Sequence, residues 1–216
     1  MEGAPDMPPS KASADFWDRV AERYAAMAIR NPEVYRQTLA RIEAHLTRDD
    51  CVLEVGCGTG TTAIHLAPKV AGYTATDTSR EMIAIAAAKV AGAGLVHVDT
   101  HVADPSEASL PRGAFDAVIA LNVVHLFPDR RAALEGIADR LREGGLFISK
   151  TPCLSGGWYV LAPLLWVLRR AGKAPDVHFL SRRRLEQEIC KAGFDIVERI
   201  DDPTRFPRRF LVARKK

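Results

Sequence analysis

The feature that most constrains this chain is the run VLEVGCGTG, residues Val52 to Gly60, followed by a lone acid, Asp77, at the end of the next apolar run. Val52, Leu53 and Val55 read as a buried strand, and Gly56, Gly58 and Gly60 space a loop that opens into the helical pattern TTAIHLAPKV. Glycine at alternate positions lets the backbone take positive φ and lets a ligand reach main-chain N–H groups that a Cβ would shield. Strand, glycine loop and helix in that order predict an α/β fold. They also predict an adenosine-type ligand at the carboxyl end of the first strand.

Spacing narrows the ligand. A dinucleotide loop carries G-x-G-x-x-G and rests a pyrophosphate on the helix N-terminus. Here the spacing is G-x-G-x-G, and Glu54 precedes it. A carboxylate in that place repels a pyrophosphate and pairs with a cationic ammonium. The combination E-x-G-x-G-x-G followed by Asp77 closing YTATD resembles the S-adenosylmethionine motifs of class I, Rossmann-like methyltransferases, in particular their type 11-like small-molecule branch.

The resemblance implies roles residue by residue. Asp77 would accept the ribose hydroxyls, with Thr78 beside it; Met82, in the D-x-S-x-x-M segment, would pack near the adenine; and Asp104, in Val102-Ala103-Asp104, would receive its amino group. Gly56, Cys57, Gly58, Thr59 and Gly60 would form the loop around the cofactor, with Cys57 a small side chain rather than a nucleophile. FDAVIALNVVHLF, Phe115 to Phe127, looks like the fourth strand and the acceptor-side loop, and brings Leu121 and Asn122 to the cofactor. WDRVAERYAAM resembles the N-terminal helix that closes over the cofactor, where the Tyr24 hydroxyl would reach the cofactor carboxylate. With LREGGLFISKTP as the fifth strand, the likeness covers roughly residues 50 to 152 in order. Glu54 is also readable as a buried carboxylate paired with the protein's own donors, although the motif context favours the cofactor, and both aspartates as helix caps, which is compatible with ligand contact.

Bulk properties set the frame. A chain of 216 residues fits a single α/β domain with a sizeable core. Its formal net charge of +3, with 26% charged residues, is too small to imply nucleic acid. Cys51, Cys57, Cys153 and Cys190 show no C-x-x-C spacing, which suits a reduced, cytoplasmic setting. Residues 1–14 read as a disordered leader without a secretion signal, and 15–216 as one domain.

Helical spacing over Phe16 to Ala28 and Glu33 to Leu46 precedes the first strand. Strands near 51–55, 73–76, 97–102, 116–121 and 145–150 then alternate with helices near 61–68, 79–91 and 130–142. A helix near 181–191 leads to FDIVERI and RRFLVARK, which predict an antiparallel hairpin at the sheet edge. The expected fold is a three-layer α/β sandwich, its mostly parallel seven-stranded sheet covered by helices on both faces.

A methyl on a sulfonium calls for in-line displacement, so positioning can supply much of the catalysis and a base is needed only where the acceptor must lose a proton. His125, four residues past the fourth strand, is the base candidate; its alternative is a packed histidine. His178 is a weaker candidate, and His45, His65, His97 and His101 read as solvated or structural. No N-P-P-Y or D-P-P-Y follows the fourth strand, where Leu121, Asn122, Val123 and Val124 stand, and no acidic cluster for a divalent ion appears there. Amide-nitrogen methylation and metal dependence are thereby disfavoured, and no metal is expected.

Residues 153–178 form an apolar insert or lid. Trp158 to Leu168 is apolar all round, too short to span a bilayer, and followed by Arg169, Arg170 and Lys173. Its cover would come from the core or a second subunit, from a lipophilic acceptor, or from shallow contact of 158–173 with a membrane surface. The expectation is methyl transfer from S-adenosylmethionine to a small, fairly apolar acceptor by a monomer or homodimer. Its rivals are a cofactor-binding protein acting through protein contacts and an NAD-dependent oxidoreductase.

Overall fold

The computed structural model describes residues 9–105, 110–154, 160, 162–170, 174–175, 177–202 and 207–216. Helices α1 (Pro9–Ala25) and α2 (Pro32–Glu43) precede an alternating series: β1 (Cys51–Val55), α3 (Thr61–Leu66), β2 (Gly72–Asp77), α4 (Arg80–Gly92), β3 (Val98–Val102) and β4 (Phe115–Leu121). There follow α5 (Arg130–Arg140), β5 (Leu141–Pro152), α6 (Ala162–Arg170), α7 (Arg182–Lys191), β6 (Phe194–Asp202) and β7 (Arg208–Lys215). The strands form one sheet in the order β3-β2-β1-β4-β5-β7-β6. The first five are parallel and β7 runs antiparallel to both β5 and β6, so the C-terminal hairpin closes one edge as its sequence predicts.

Successive residues of the central strands feed two cores, which is why those strands read as mostly apolar runs rather than as alternating ones. Val52, Ile119, Ile148 and Val212 pack with Leu39 and Ile42 of α2, Leu66 of α3 and Ile83 of α4. Their neighbours Leu53, Val118, Phe147 and Leu211 pack with Leu134 and Ile137 of α5 and Leu185 and Ile189 of α7. Strand order reverses direction at β1, whose carboxyl end meets that of β4, and a crevice opens there at the topological switch point.

Two of the boundaries that differ from expectation have a physical reason. The sequence reads as a leader over 1–14, whereas α1 begins at Pro9, an imino acid suited to a first helical turn, so residues 9–14 belong to the helix. Residues 1–8 lie outside the described residues. Helix α5 ends at Arg140 rather than 142 because the buried Leu141 is drawn into pairing with Phe115. The strand register then shifts between Phe115 and Ala117, and Gly144 turns at φ 73°.

Candidate active site

The loop after β1 is built by its glycines in two different ways. Gly56, Gly58 and Gly60 have φ of 69°, 54° and 75°. A Cβ on Gly56 would sit 2.5 Å from Val123 Cγ2, and one on Gly60 would sit 2.9 Å from Ala86 Cβ, so these two let the protein pack against itself. A Cβ on Gly58 meets nothing nearer than Tyr24 Cε1 at 3.9 Å. Gly58 therefore leaves room for a Cβ, in ordinary contact with Tyr24.

Asp77, at the end of β2, braces that loop. Its Oδ2 accepts the Gly58 N–H at 2.9 Å and its Oδ1 accepts the Ser79 N–H at 3.0 Å. Burial pushes its carboxyl above the usual carboxylate range, and the amides of Ser79, Gly58 and Thr78 oppose the rise. Ser79 caps α4 and donates its hydroxyl to Asp18 Oδ1 at 2.6 Å, an oxygen that also accepts the Glu81 N–H at 3.2 Å. Asp18 thus ties α1 across the start of α4, and Ser13, Trp17 and Tyr24 of α1 roof the crevice.

Beneath that roof the structure brings together Gly56, Gly58, Asp77, Thr78, Met82, Asp104, Leu121 and Asn122 from four separate segments, every one a residue the sequence nominates. Met82 is buried and Asp104 half-buried. Asn122 is exposed and, among the described non-glycine residues, alone has positive φ, 57°. Its N–H is fixed to the Lys150 carbonyl at 2.7 Å. Asparagine tolerates this left-handed conformation better than most residues, and such geometry concentrates at functional sites.

A second cleft adjoins the first, sharing Tyr24, Gly56, Gly58, Leu121 and Asn122. Glu54, Cys57 and Thr59 line this one. The Glu54 carboxylate is buried and accepts the Tyr73 hydroxyl at 2.9 Å; burial pushes its pKa up to about 8, with the Tyr73 and Thr62 hydroxyls opposing. Thr59 accepts from Lys89 Nζ at 3.1 Å. Cys57 is buried, its thiol pushed well above its ordinary pKa by burial, which fits a space-filling role better than a nucleophile's. Burial, then the Asp77 charge, raises the Tyr24 phenol, and that ring meets Trp17 edge-on at 6.0 Å.

His125 is set apart from these residues. It lies in a short 3-10 turn, 124–126, and lines neither cleft, although Val123 and Leu126 on either side line the first. Its carbonyl accepts the His178 N–H at 3.0 Å, and His125 Nδ1 and His178 Nε2 are both buried without hydrogen-bond partners among the described residues. Burial, then the His178 and Arg208 charges, lowers the His125 pKa to about 4. Of the other histidines, His45 meets Glu198 at 2.7 Å and His97 meets the Ala67 carbonyl at 2.9 Å.

Sequence reasoning passed over Ser13, Trp17, Tyr35, Lys150 and Arg208, which also line the clefts. Lys150 carried a signal, being a charge that closely follows the apolar run Leu146 to Ile148 within a strand. Trp158 and Lys173 lie outside the described residues, as does most of 155–161. Of the described insert, Leu164, Trp166 and Val167 of α6 are exposed, and the Arg170 guanidinium lies 5.2 Å from the Trp166 ring centre. Among the described residues no helix is long and apolar enough to cross a membrane, and no three His, Cys, Asp or Glu side chains are grouped to hold a metal.

Comparison with known proteins places the architecture. Residues 27–199 match the family described as a methyltransferase domain. The chain is 28% identical over 191 residues to a highly reducing polyketide synthase of Purpureocillium lilacinum, covering 82% of this chain and 8% of that one. It is 33% identical over 123 residues to a methyltransferase of Mycobacterium bovis, covering 54% of this chain and 58% of that one. The chain thus spans under two thirds of either relative. The crystal structure of geranyl diphosphate C-methyltransferase from Streptomyces coelicolor, holding Mg2+, geranyl diphosphate and S-adenosyl-L-homocysteine, superposes with a TM-score of 0.76 at 13% identity, covering 99% of this chain and all of that one. This chain belongs to the methyltransferase-domain family. Its residues fit an adenosine-bearing methyl donor: Gly58 leaves a cradle that a larger side chain would fill, and the Asp77 carboxylate keeps acceptor capacity beyond the two amides it binds.

Proposed function

We propose that this chain transfers a methyl group from S-adenosylmethionine to a small, largely apolar acceptor by in-line displacement. The observation that carries this reading is the meeting of two clefts at Gly56, Gly58, Leu121 and Asn122. One cleft bears the nucleoside-binding set of Asp77, Met82 and Asp104; the other is left for the rest of the donor and the acceptor. Bound there, the donor supplies an electrophilic methyl on a sulfonium.

The chain's own residues then position, enclose and exclude. Asp77 holds the ribose edge, Asp104 and Met82 the adenine, and the Gly56–Gly60 loop the chain beyond. Tyr24 and Trp17 cover the cofactor from α1, keeping water from the reacting centre. Apolar Met27, Ile29 and Val34, which line the second cleft, support an apolar acceptor. Incubation with S-adenosylmethionine and a panel of apolar phenols, thiols, amines and acids should yield S-adenosylhomocysteine with at least one of them; donor binding without turnover across the panel would count against the reading.

His125 is proposed to support the acceptor-side turn rather than to take a proton, because its ring nitrogen is buried and it lines neither cleft. His125→Gln should keep turnover within about tenfold of wild type, less than the 10²-fold or more expected on removing a general base. Its folding contribution has a definite pH window. The folded pKa, about 4, lies below the ordinary histidine value of 6.5, so the unfolded chain binds the proton first as pH falls. Stability from the neutral imidazole is complete above pH 6.5 and is lost as pH falls toward 4. Glu54 has the opposite slope over part of that range, so the wild-type minus His125→Gln difference isolates the histidine. Denaturant melts should show that difference shrinking by about 2 kcal/mol between pH 7.5 and 5. A turnover loss of 10²-fold, with a rate rising through a pKa near 4, would restore His125 as base.

A further inference from the structure

We propose that Asn122 is a positioning residue for methyl transfer: its side-chain carboxamide stands at the transfer point and takes a hydrogen bond from the acceptor's nucleophile, a hydroxyl, amine or thiol. The inference deepens the methyl-transfer reading and rests on it, since that reading lays the donor across both clefts.

The backbone at Asn122 is one that suits glycine. Its φ of 57° is left-handed, and each of the seven other positive-φ positions among the described residues is a glycine. A Cβ in that conformation crowds the chain's own carbonyl oxygen, a cost that glycine escapes. The geometry is imposed by the sheet: β4 ends at Leu121, paired with Lys150 of β5, and the Lys150 carbonyl holds the Asn122 N–H at 2.7 Å as the chain turns into 124–126. Asparagine ordinarily tolerates such a turn because its short side chain hydrogen-bonds the nearby backbone. Here that compensation is missing. Asn122 is exposed, and its carboxamide makes no hydrogen bond among the described residues. A strained position that keeps a polar side chain with nothing local to hold it points to a ligand.

Its place in the crevice says which part of the ligand it meets. Five residues line both clefts: Tyr24, Gly56, Gly58, Leu121 and Asn122. A donor that fills both clefts has to cross this junction, and its sulfur is the atom that joins its two halves. Two of the five residues are glycines and Leu121 is apolar, so the polar side chains at the junction are the Tyr24 phenol and the Asn122 carboxamide. The phenol belongs to α1, the roof, whereas Asn122 directly follows β4 and is fixed to the sheet. A carboxamide is neutral and offers both an acceptor oxygen and N–H donors. By accepting the nucleophile's O–H, N–H or S–H, the oxygen turns a lone pair of that atom toward the methyl, which is the orientation that in-line displacement asks for. It takes no proton, which passes to solvent once the nucleophile has bonded the methyl carbon and the carbon–sulfur electron pair has returned to sulfur.

The test titrates the full chain calorimetrically with S-adenosylhomocysteine and with sinefungin, a donor analogue in which an amine-bearing carbon replaces the methylated sulfur. The amine presents N–H donors where the methyl would stand. Asn122→Gly keeps the left-handed backbone and removes the carboxamide, so it should bind S-adenosylhomocysteine within about threefold of wild type and lose roughly tenfold or more in sinefungin affinity. Asn122→Asp tolerates the same backbone, keeps an oxygen in that place and should retain sinefungin binding. With an acceptor that turns over, Asn122→Gly should lower kcat/KM by roughly tenfold or more at unchanged donor affinity. Sinefungin affinity that survives in Asn122→Gly, an equal loss for both ligands, or undiminished turnover would overturn the proposal. Should Asn122→Gly fail to fold, Asn122→Ser, which also lacks the carboxamide, takes its place. Wild-type loading is measured first, so a chain that takes no S-adenosylhomocysteine overturns the donor reading, whereas a chain that takes it and whose sinefungin affinity ignores residue 122 overturns only this one.

Discussion

Gly58→Val is expected to weaken S-adenosylhomocysteine binding by at least about 10²-fold, equivalent to about 2.7 kcal/mol or more, while the protein still folds. The argument turns on what each loop glycine faces. At φ 54° a β-branched valine is strained by at least about 1–2 kcal/mol, while its Cβ itself makes only ordinary contact with Tyr24 Cε1 at 3.9 Å. The branched carbons beyond Cβ fill the space where a donor would approach the main chain. Gly56→Ala is the counterpart. Its Cβ would meet Val123 Cγ2 at 2.5 Å, so it strikes the protein itself and should lower the thermal midpoint first. Wild type at a ligand concentration of 100 Kd should gain about 2.7 kcal/mol of stability by mass action, and Gly58→Val should gain almost none at that concentration. A Gly58→Val protein whose melting rises with ligand as wild type's does would sink the assignment of this loop.

The sequence made the sheet and the adenosine half of the site legible for one physical reason: both are dictated locally. A strand buried on both faces is predominantly apolar, so Val52 to Val55, broken only by Glu54, and Ala117 to Leu121 declare themselves, and a backbone with three positive φ values in five residues has to be glycine-rich. Asp77 and Asp104 are legible because strand ends fall at one edge of a parallel sheet. Part of the second cleft's lining was hidden because it comes together across long separations: Lys150 bonds Thr38, 112 residues away, and Arg208 comes from the last strand. His125 shows the limit of such counting: its number past the strand places it near the crevice, and nothing in a sequence says which side of a 3-10 turn faces inward. Trp17 and Ser13 went unread for a similar reason. The roofing of the crevice by α1 depends on the contact of Asp18 with Ser79, 61 residues on.

Asp77→Ala should lower affinity for S-adenosylmethionine by about 10²-fold or more, since two hydrogen bonds to a charged acceptor are worth roughly 1.5–3 kcal/mol each. The structure adds a second consequence. The same carboxylate holds the Gly58 and Ser79 amides, so its removal leaves two N–H groups to find other partners, at a cost of about 1–3 kcal/mol for any that stays buried and unpaired. Affinity and stability should therefore fall together, unlike in Gly58→Val, where affinity falls far more than stability. Asp77→Asn distinguishes the causes. It keeps one acceptor oxygen and presents an NH2 where the second backbone N–H points, so two donors face each other and the brace is half broken. If ribose contact dominates, Asp77→Asn should lose nearly as much affinity as Asp77→Ala while retaining more stability; if bracing dominates, the two losses should scale across both variants. Calorimetric titration beside denaturant melts reads both quantities. A folded Asp77→Ala protein with wild-type affinity would show that the carboxylate is a brace alone, and that the recognition of the ribose lies with other residues of the crevice.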